Sequence, residues 1–171
     1  IVNGLNLFYR EAGNPDAPTI LLLHGYPTSS HMFRNLIPKL CDKFHIIAPD
    51  LPGFGYSDAP SNQEFEYTFD NLAHIVQDFI EKLELNRFAI YIFDYGAPVG
   101  LRLATANPEK ITGIISQNGN AYEEGLSQEW DLIRKYWQDS TQENREALKD
   151  FVSEKATWFQ YHEGVSDPSL I

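Results

Sequence analysis

The chain has 171 residues, with 24 acidic and 13 basic side chains and a formal net charge of −11. This length suits one domain of ordinary size, with room for a small insertion. The charge argues against nucleic acid or an anionic membrane as a partner, because both would repel the chain. A lone cysteine, Cys41, excludes an internal disulfide and a multi-cysteine metal site. The longest apolar runs are too short to span a bilayer, and no secretory leader or Asn-x-Ser/Thr site is visible, so we expect a cytoplasmic setting.

The first third of the chain alternates predicted strands with one predicted helix. Asn3-Gly4 is typical of a tight hairpin turn, because both positions of a type I′ turn need a positive φ. We expect a strand at residues 5–10, and the two residues before the turn indicate a first strand that is cut short. Apolar runs predict buried strands at Thr19–Leu23 and Phe44–Ala48. Between them, helical spacing predicts a helix over residues 33–40, with N-cap candidates at Thr28, Ser29 and Ser30.

The middle of the chain continues the alternation up to about Asn120. Its predicted elements are a loop at residues 50–60, a helix over residues 72–83 capped by Thr68, a strand at Phe88–Phe93, a helix at about Ala97–Ala106 and a strand at Ile111–Ser116. Buried strands that alternate with helices predict an α/β fold, in which helices cover both faces of a mostly parallel sheet. Residues 121–171 contain no strand candidate of comparable strength. We therefore expect a core at residues 1–120 and a helical insertion over the sheet at residues 121–171.

Three loops follow predicted strands at the carboxyl edge of the sheet, where ligands bind in open parallel sheets. They read H-G-Y-P at residues 24–27, D-L-P-G-F-G-Y-S at residues 50–57 and D-Y-G-A-P at residues 94–98. In the third loop a strand runs into Asp94 and a helix begins at once. Such a corner lifts one side chain above the sheet and aims backbone N–H groups at the same point.

Asp94 has two interpretations from its local sequence. It is either a plain helix N-cap, a common role of Asp, or an ionised carboxylate that attacks carbon. In the second interpretation, the backbone N–H groups of Tyr26 and Tyr95 bind a developing oxyanion.

The three motifs in this order resemble the α/β-hydrolase fold, and within it the branch with an aspartate nucleophile, the epoxide hydrolases and haloalkane dehalogenases. The resemblance covers residues 2–120 and, more loosely, the helical insertion, which matches the family's cap. It implies that Asp94 forms an alkyl ester with a small apolar substrate. A water activated by a histidine then cleaves this ester, while the Tyr26 and Tyr95 N–H groups stabilise the oxyanion. The reaction needs no cofactor and no metal, and we expect an epoxide before an alkyl halide.

The chain departs from the family's pattern at three places. Tyr26 and Tyr95 stand where dehalogenases commonly carry Asn and Trp to hold the halide, whereas epoxide hydrolases favour an aromatic residue at the first position and Trp at the second. Ile92 stands where the family prefers a small residue, and its larger side chain is expected to make the corner turn less tightly. The family's catalytic histidine follows two further strands beyond the cap. We therefore expect the general base and the third acid to be absent from this chain, which looks truncated after the cap region.

None of the five histidines is predicted to be the general base. His24 ends one buried strand and His45 begins another, so both are expected to be structural. His31 and His74 lie on predicted helices, and His162 lies in the helical insertion, where a surface role is favoured. Their spacing differs from that of known zinc motifs, so we predict no metal site.

Aromatic side chains of the insertion are candidates for the roof of a substrate pocket, although packing of helices is favoured for most of them. They are Trp130, Tyr136, Trp137, Trp158 and Tyr161. Cap tyrosines of epoxide hydrolases donate hydrogen bonds to the epoxide oxygen. Tyr136 or Tyr161 could do so here, and spacing does not choose between them.

Other functions remain open at this stage. A haloalkane dehalogenase-like hydrolase is one alternative, and a non-catalytic binding protein or fragment that keeps the fold is another, favoured by Ile92 and the missing base. A serine esterase ranks lower, because Ser57 and Ser116 do not lie at a strand–helix corner. A dinucleotide site is disfavoured, because no G-x-G-x-x-G opens a helix. The oligomeric state is left open, a dimer included.

Overall fold

A five-stranded sheet organises the first of two compact units, residues 1–121 and 122–171. A computed structural model of the chain describes residues 1–171, apart from the side chain of Glu129. The strands are β1 (Tyr9–Ala12), β2 (Thr19–Leu23), β3 (His45–Pro49), β4 (Phe88–Phe93) and β5 (Ile111–Gln117). Their spatial order is β1-β3-β2-β4-β5, and every pair is parallel except β1 with β3. The predicted α/β fold with a mostly parallel sheet is confirmed.

Helices cover both faces of this sheet. The first unit contains α1 (Ile37–Leu40), α2 (Phe69–Lys82) and α3 (Gly96–Ala106), together with 3-10 helices at Ser30–Asn35 and Pro108–Lys110. Successive residues of a strand point to opposite faces. In β2, Leu21 and Leu23 accordingly pack with the buried residues of α2 and α3, whereas Ile20 and Leu22 pack with Phe33 and Ile37. One central strand therefore supplies apolar side chains to both layers of the core.

The predicted helix over residues 33–40 is a 3-10 helix followed by a single α-turn. Pro38 has no N–H and cannot extend an α-helical ladder from upstream residues, so it lies in the first turn of α1. Among the predicted caps, Ser29 begins the 3-10 helix by accepting a 3.2 Å hydrogen bond from the His31 N–H. Thr68 caps α2 as predicted, since its Oγ1 accepts from the Asn71 N–H at 3.2 Å.

The strand predicted at residues 5–10 instead spans Tyr9–Ala12. Asn3 and Gly4 form the expected turn, with φ values of 48° and 84°, beside an isolated bridge between Val2 and Leu5. Residues 6–8 leave the sheet because loop 50–58 supplies their hydrogen-bond partners. The Phe8 N–H donates to Ser57 Oγ at 3.0 Å, and the Phe8 carbonyl accepts from the Asp50 N–H at 2.9 Å.

β5 differs from the buried strand predicted at residues 111–116. Among the described residues it pairs with β4 alone, and the side chains of Ile114 and Ile115 are 48% and 49% exposed. The burial of β2 and β3 and the alternating burial of β4 are absent here, because β5 lies at the edge of the described sheet.

The second unit is entirely helical among its described residues. It contains α4 (Asp131–Gln138), α5 (Gln142–Glu146), α6 (Glu154–His162) and 3-10 helices at Glu123–Gly125, Gln128–Trp130, Lys149–Val152 and Pro168–Leu170. The absence of strands agrees with the sequence, whereas the assignment of residues 121–171 as a cap stays a prediction. The longest described helix, α2, has 14 residues, and no described helix has the length and apolarity of a membrane span.

Gly100 of α3 faces Ile92, the residue that departs from the family's preference for a small side chain. A Cβ added at Gly100 would lie 2.4 Å from Ile92 Cγ2, which is closer than real Cβ contacts. Ile92 itself is 1% exposed. The glycine on the helix thus makes the room that a small residue on the strand would otherwise provide.

We predict that Gly100→Ala lowers the free energy of unfolding by about 1–3 kcal/mol, because the added methyl group overfills this contact. Ile92→Ala alone should also destabilise the protein, by leaving a cavity. In the double variant the two costs should be less than additive by about 1 kcal/mol, since the Ile92 Cγ2 atom that the new methyl group would meet has been removed. Urea unfolding of the four proteins measures this coupling, and strict additivity would contradict the contact.

Candidate active site

Asp94 occupies a sharp corner between β4 and α3. Its φ of 48° lies in the left-handed region, which costs a non-glycine residue about 1–3 kcal/mol. The Asp94 carbonyl accepts a 2.8 Å hydrogen bond from the Ala97 N–H, which closes the turn into the helix. The corner therefore holds Asp94 in a strained conformation at the carboxyl end of a central strand. Strain of this kind is concentrated at functional sites.

Two glycines allow the surrounding backbone to approach the corner. A Cβ at Gly96 would lie 2.3 Å from the Leu23 carbonyl oxygen, at the end of β2. A Cβ at Gly25 would lie 2.4 Å from Asp94 Cβ. Any side chain at these positions would push the loop after β2 away from Asp94.

Two backbone N–H groups from different loops donate to the same oxygen of Asp94. The Tyr26 N–H reaches Oδ1 at 2.9 Å, and the Tyr95 N–H reaches it at 2.6 Å. No hydrogen bond to the second oxygen, Oδ2, is found among the described residues. The structure thus brings together the three residues that the sequence singled out, Asp94, Tyr26 and Tyr95.

The geometry does not match a plain helix N-cap. A capping side chain accepts from an N–H two or three residues further along its own helix. The cap position of α3 is Tyr95, which makes no side-chain cap bond, and one of the two donors to Asp94 belongs to a loop 68 residues earlier. Asp94 is therefore held by two loops and does not serve as the side-chain cap of α3.

The side chains of Tyr26 and Tyr95 form an aromatic pair beside this carboxylate. Their ring centroids lie 5.8 Å apart, and the Tyr95 ring also packs edge-on against Phe69 at 5.2 Å. Burial raises the pKa of Tyr95, and the negative charge of the neighbouring Asp94 raises it further. The Tyr95 phenol therefore stays protonated throughout the physiological range, so it can donate a hydrogen bond but not accept a proton.

His24 is fully buried, and both of its ring nitrogens make hydrogen bonds. Nε2 accepts from the Leu51 N–H at 3.0 Å, so Nδ1 carries the proton and donates to the Gly25 carbonyl at 2.9 Å. Burial lowers the pKa of His24 below its ordinary value of 6.5, although the Gly25 carbonyl and the charges of Asp50 and Asp94 oppose this shift. A neutral histidine with both nitrogens engaged ties the first loop to the second.

Sequence reasoning assigned no role to Asp50, which the structure places at the centre of the loop network. Its carboxylate is fully buried and accepts from the Ser30 N–H at 2.7 Å and the Tyr56 N–H at 2.9 Å. Its carbonyl also accepts from the Ser57 hydroxyl at 2.6 Å. An acidic residue directly after a strand predicted to be buried was the available signal, because a buried carboxylate requires hydrogen-bond donors.

None of the other four histidines makes a described side-chain contact with Asp94. His45 is buried, and its ring forms hydrogen bonds with Thr19 and Glu11. The ring of His162 stacks on Trp158 in the second unit. His31 and His74 are exposed, and His74 lines a cavity of about 290 Å³ between α2 and α3. That cavity is lined by Asp70, Ala73, His74, Gln77, Arg102, Leu103 and Ala106, and includes none of the predicted site residues.

Most of the predicted aromatic residues of the helical insertion are exposed or contact one another. Trp130 and Trp137 lie 6.1 Å apart, and Tyr161 is 46% exposed. The choice between Tyr136 and Tyr161 as a substrate contact stays a prediction. Among the described residues, no three His, Cys, Asp or Glu side chains are grouped as metal ligands would be.

The chain is similar to several known proteins in sequence and in fold. Residues 18–161 match the model of the α/β hydrolase fold family. The chain is 49% identical over 169 residues to an uncharacterized hydrolase of Saccharomyces cerevisiae, covering 96% of this chain and 58% of that protein. It is 37% identical over 115 residues to a haloalkane dehalogenase of Psychrobacter cryohalolentis, covering 67% of this chain and 38% of that protein. A solved epoxide hydrolase from Bacillus megaterium has a TM-score of 0.68 and 29% identity, covering 95% of this chain and 54% of that one.

The mostly parallel sheet and its strand–turn–helix corner define an α/β protein, with the candidate site at the carboxyl edge of the strands. The chain belongs to the α/β hydrolase fold family. Its relatives include haloalkane dehalogenases and epoxide hydrolases, as the resemblance implied. The chain spans between 38% and 58% of the length of the three relatives named here.

The lowered pKa of His24 predicts that stability depends on pH. Below about pH 6.5 the unfolded chain binds a proton at His24, whereas the folded protein does not. The free energy of unfolding therefore decreases as the pH decreases, by at most about 1.4 kcal/mol per pH unit. The stabilisation from neutral His24 is fully present above 6.5, the ordinary pKa of the residue in the unfolded chain, and is lost as the pH falls below that value. Urea unfolding between about pH 5 and pH 7 should show this slope. His24→Gln should reduce it, and the exposed control His31→Gln should keep it. Equal slopes in the parent and His24→Gln would contradict the assignment.

Proposed function

We propose that the protein hydrolyses a small apolar electrophile through a covalent ester on Asp94. The observation that carries this proposal is the convergence of the Tyr26 and Tyr95 N–H groups on one oxygen of Asp94, at 2.9 and 2.6 Å. With Oδ1 held by both donors, Oδ2 is the oxygen that attacks carbon. The new bond joins Oδ2 to the substrate carbon, and the bond from that carbon to its leaving group breaks with its electron pair.

Ester cleavage is the second half of this proposal. Water attacks Cγ of Asp94 and gives a proton to the general base, which later protonates the departing oxygen, while the electron pair of the carbonyl moves onto Oδ1. The two N–H groups that bind the resting carboxylate are then in place to stabilise the oxyanion. Collapse of the intermediate breaks the bond between Cγ and the ester oxygen, so the product leaves with that oxygen and Asp94 regains a carboxylate.

The general base and the third acid are not assigned to any residue of this chain. A base must lie within hydrogen-bond reach of the attacking water, directly or through one further water. His24 uses both nitrogens in loop contacts, and the described hydrogen bonds of the other histidines do not involve Asp94. Both groups therefore stay unassigned among residues 1–171, as predicted from the sequence.

We favour an epoxide over an alkyl halide as the electrophile. Opening an epoxide generates an alkoxide, which needs a proton or a strong hydrogen bond at once, whereas a halide leaves as a weakly basic ion. The Tyr95 phenol is kept protonated beside Asp94 and can supply that hydrogen bond. Halide chemistry is the second candidate, supported by 37% identity to a haloalkane dehalogenase.

Asp94→Asn in the full-length protein should abolish turnover, because an amide is too weak a nucleophile to open an epoxide or displace a halide. Incubation with styrene oxide followed by intact mass measurement should show an adduct of the substrate's mass on the parent and none on the variant. The exposed Asp16→Asn is the matched control and should retain the adduct. Turnover in Asp94→Asn equal to the parent's would refute the nucleophile, and a parent without adduct or turnover would favour a non-catalytic binding protein.

The choice between the two electrophiles is tested by Tyr95→Phe, which removes the phenol and keeps the ring packing on Phe69. We expect ester formation with styrene oxide to slow roughly tenfold or more, because a general acid contributes at least that much. Ester formation with 1-bromobutane should change by less than about threefold, since bromide needs no proton. Tyr67→Phe, which loses only an exposed hydrogen bond to the Pro60 carbonyl, is the control. An equal loss with both substrates would count against the epoxide preference.

The cytoplasmic location, the oligomeric state and the cap function of residues 121–171 stay predictions from the sequence.

A further inference from the structure

We propose that Asp50 is a positioning residue for the oxyanion site, because its buried carboxylate fixes the loop that carries the Tyr26 N–H. This proposal rests on the function proposed above. It adds a residue that touches neither the substrate nor Asp94 and acts through the backbone between residues 24 and 30.

The Asp50 carboxylate is buried without a cation. It is fully buried, and no ion pair to it is found among the side chains that the structure describes. Its charge is instead balanced by backbone donors, with the Ser30 N–H on Oδ1 at 2.7 Å and the Tyr56 N–H on Oδ2 at 2.9 Å. Hydrogen bonds to an ionised group are stronger than neutral ones, and a buried charge without them would be costly. One bond within the loop of Asp50 and one to Ser30 therefore make this carboxylate a clamp between the two loops.

Loop 24–30 is fastened to residues 50 and 51 at both of its ends. At the far end, the Ser30 N–H bonds to Asp50 Oδ1. At the near end, Nε2 of His24 accepts from the Leu51 N–H at 3.0 Å. Tyr26 lies between these two attachments. Its N–H belongs to this loop, whereas the Tyr95 N–H belongs to the corner itself. The distance between the Tyr26 N–H and Asp94 thus depends on the clamp.

Displacement of this loop should affect one half of the reaction more than the other. During ester formation Asp94 loses negative charge, so weaker donors on Oδ1 do not raise the barrier. During ester cleavage full charge develops on Oδ1, and a missing oxyanion donor costs roughly 100- to 1000-fold in rate. A displaced loop should therefore slow cleavage and leave ester formation close to normal. A residue needed only for folding would lower the amount of active protein and leave the ratio of the two rates unchanged.

The first test is Asp50→Asn in the full-length protein, with styrene oxide as the probe and rapid-quench intact mass measurement of the ester. The amide presents an NH₂ group to one of the two N–H donors, which breaks one side of the clamp. We expect ester cleavage to slow at least tenfold relative to ester formation, so that the ester accumulates. Asp58→Asn is the matched control. Asp58 lies in the same segment, and its carboxylate bonds to the exposed Asn6 N–H at 2.8 Å, so the ratio should not change.

The second test moves the carboxylate without removing its charge. In Gly55→Ala the new Cβ would lie 2.0 Å from Asp50 Oδ2 and 2.9 Å from Ser29 Cβ. The carboxylate must therefore shift away from the Tyr56 N–H, and loop 24–30 must move with it. Gly53→Ala introduces a similar positive-φ strain, but its Cβ meets the Tyr67 ring at 2.9 Å. The φ values are 55° at Gly55 and 86° at Gly53. We expect ester accumulation in Gly55→Ala and a normal ratio in Gly53→Ala.

The outcomes separate this proposal from the proposed function. If the parent forms no ester with styrene oxide or 1-bromobutane, the covalent mechanism fails and the positioning role fails with it. If the parent forms and cleaves an ester while folded Asp50→Asn and Gly55→Ala keep its rate ratio within about twofold, only the positioning role is overturned. If neither variant folds while both controls do, the positioning role is also overturned, because the clamp then serves the fold as a whole.

Discussion

Two backbone N–H groups that meet on a single carboxylate oxygen are the interaction on which the site depends. One belongs to Tyr95 at the corner after β4, and the other to Tyr26 in the loop after β2. They can meet because β2 and β4 are adjacent and parallel, so that both loops leave the same edge of the sheet. The two loops can lie close together because Gly25 and Gly96 have no side chains between them, and Asp94 adopts the positive φ that the corner requires. The fold thus differentiates the two oxygens of Asp94 before any substrate binds.

Buried polar side chains hold the loops that carry these donors. His24 and Asp50 are both fully buried, and each bonds to backbone groups of a neighbouring loop. An apolar core constrains loops only weakly, because it has no directional bonds. Hydrogen bonds inside the protein are strong and directional, and a broken one leaves a buried polar group unpaired. These two residues therefore give the carboxyl edge of the sheet a definite geometry, which catalysis requires to within about an ångström.

Much of this architecture was predictable from the sequence because its causes are local. Thr68 as a helix cap, the Asn3-Gly4 turn and the corner at Asp94 each follow from a few neighbouring residues. The remainder depends on tertiary contacts. The departure of residues 6–8 from the sheet follows from bonds to loop 50–58, and the buried Asp50 carboxylate bonds to an N–H 20 residues earlier. The fit between Ile92 and Gly100 is likewise invisible until strand and helix are packed together.

We propose that Asp94 becomes covalently bonded to the substrate and is then freed by water at its own carboxyl carbon. A single turnover of the full-length protein with styrene oxide in H₂¹⁸O tests it most directly. Our account predicts that the first diol released contains no ¹⁸O, and that the peptide containing Asp94 gains one ¹⁸O atom. Label in the first diol, with none in that peptide, would show that water attacks the substrate directly and would contradict the account.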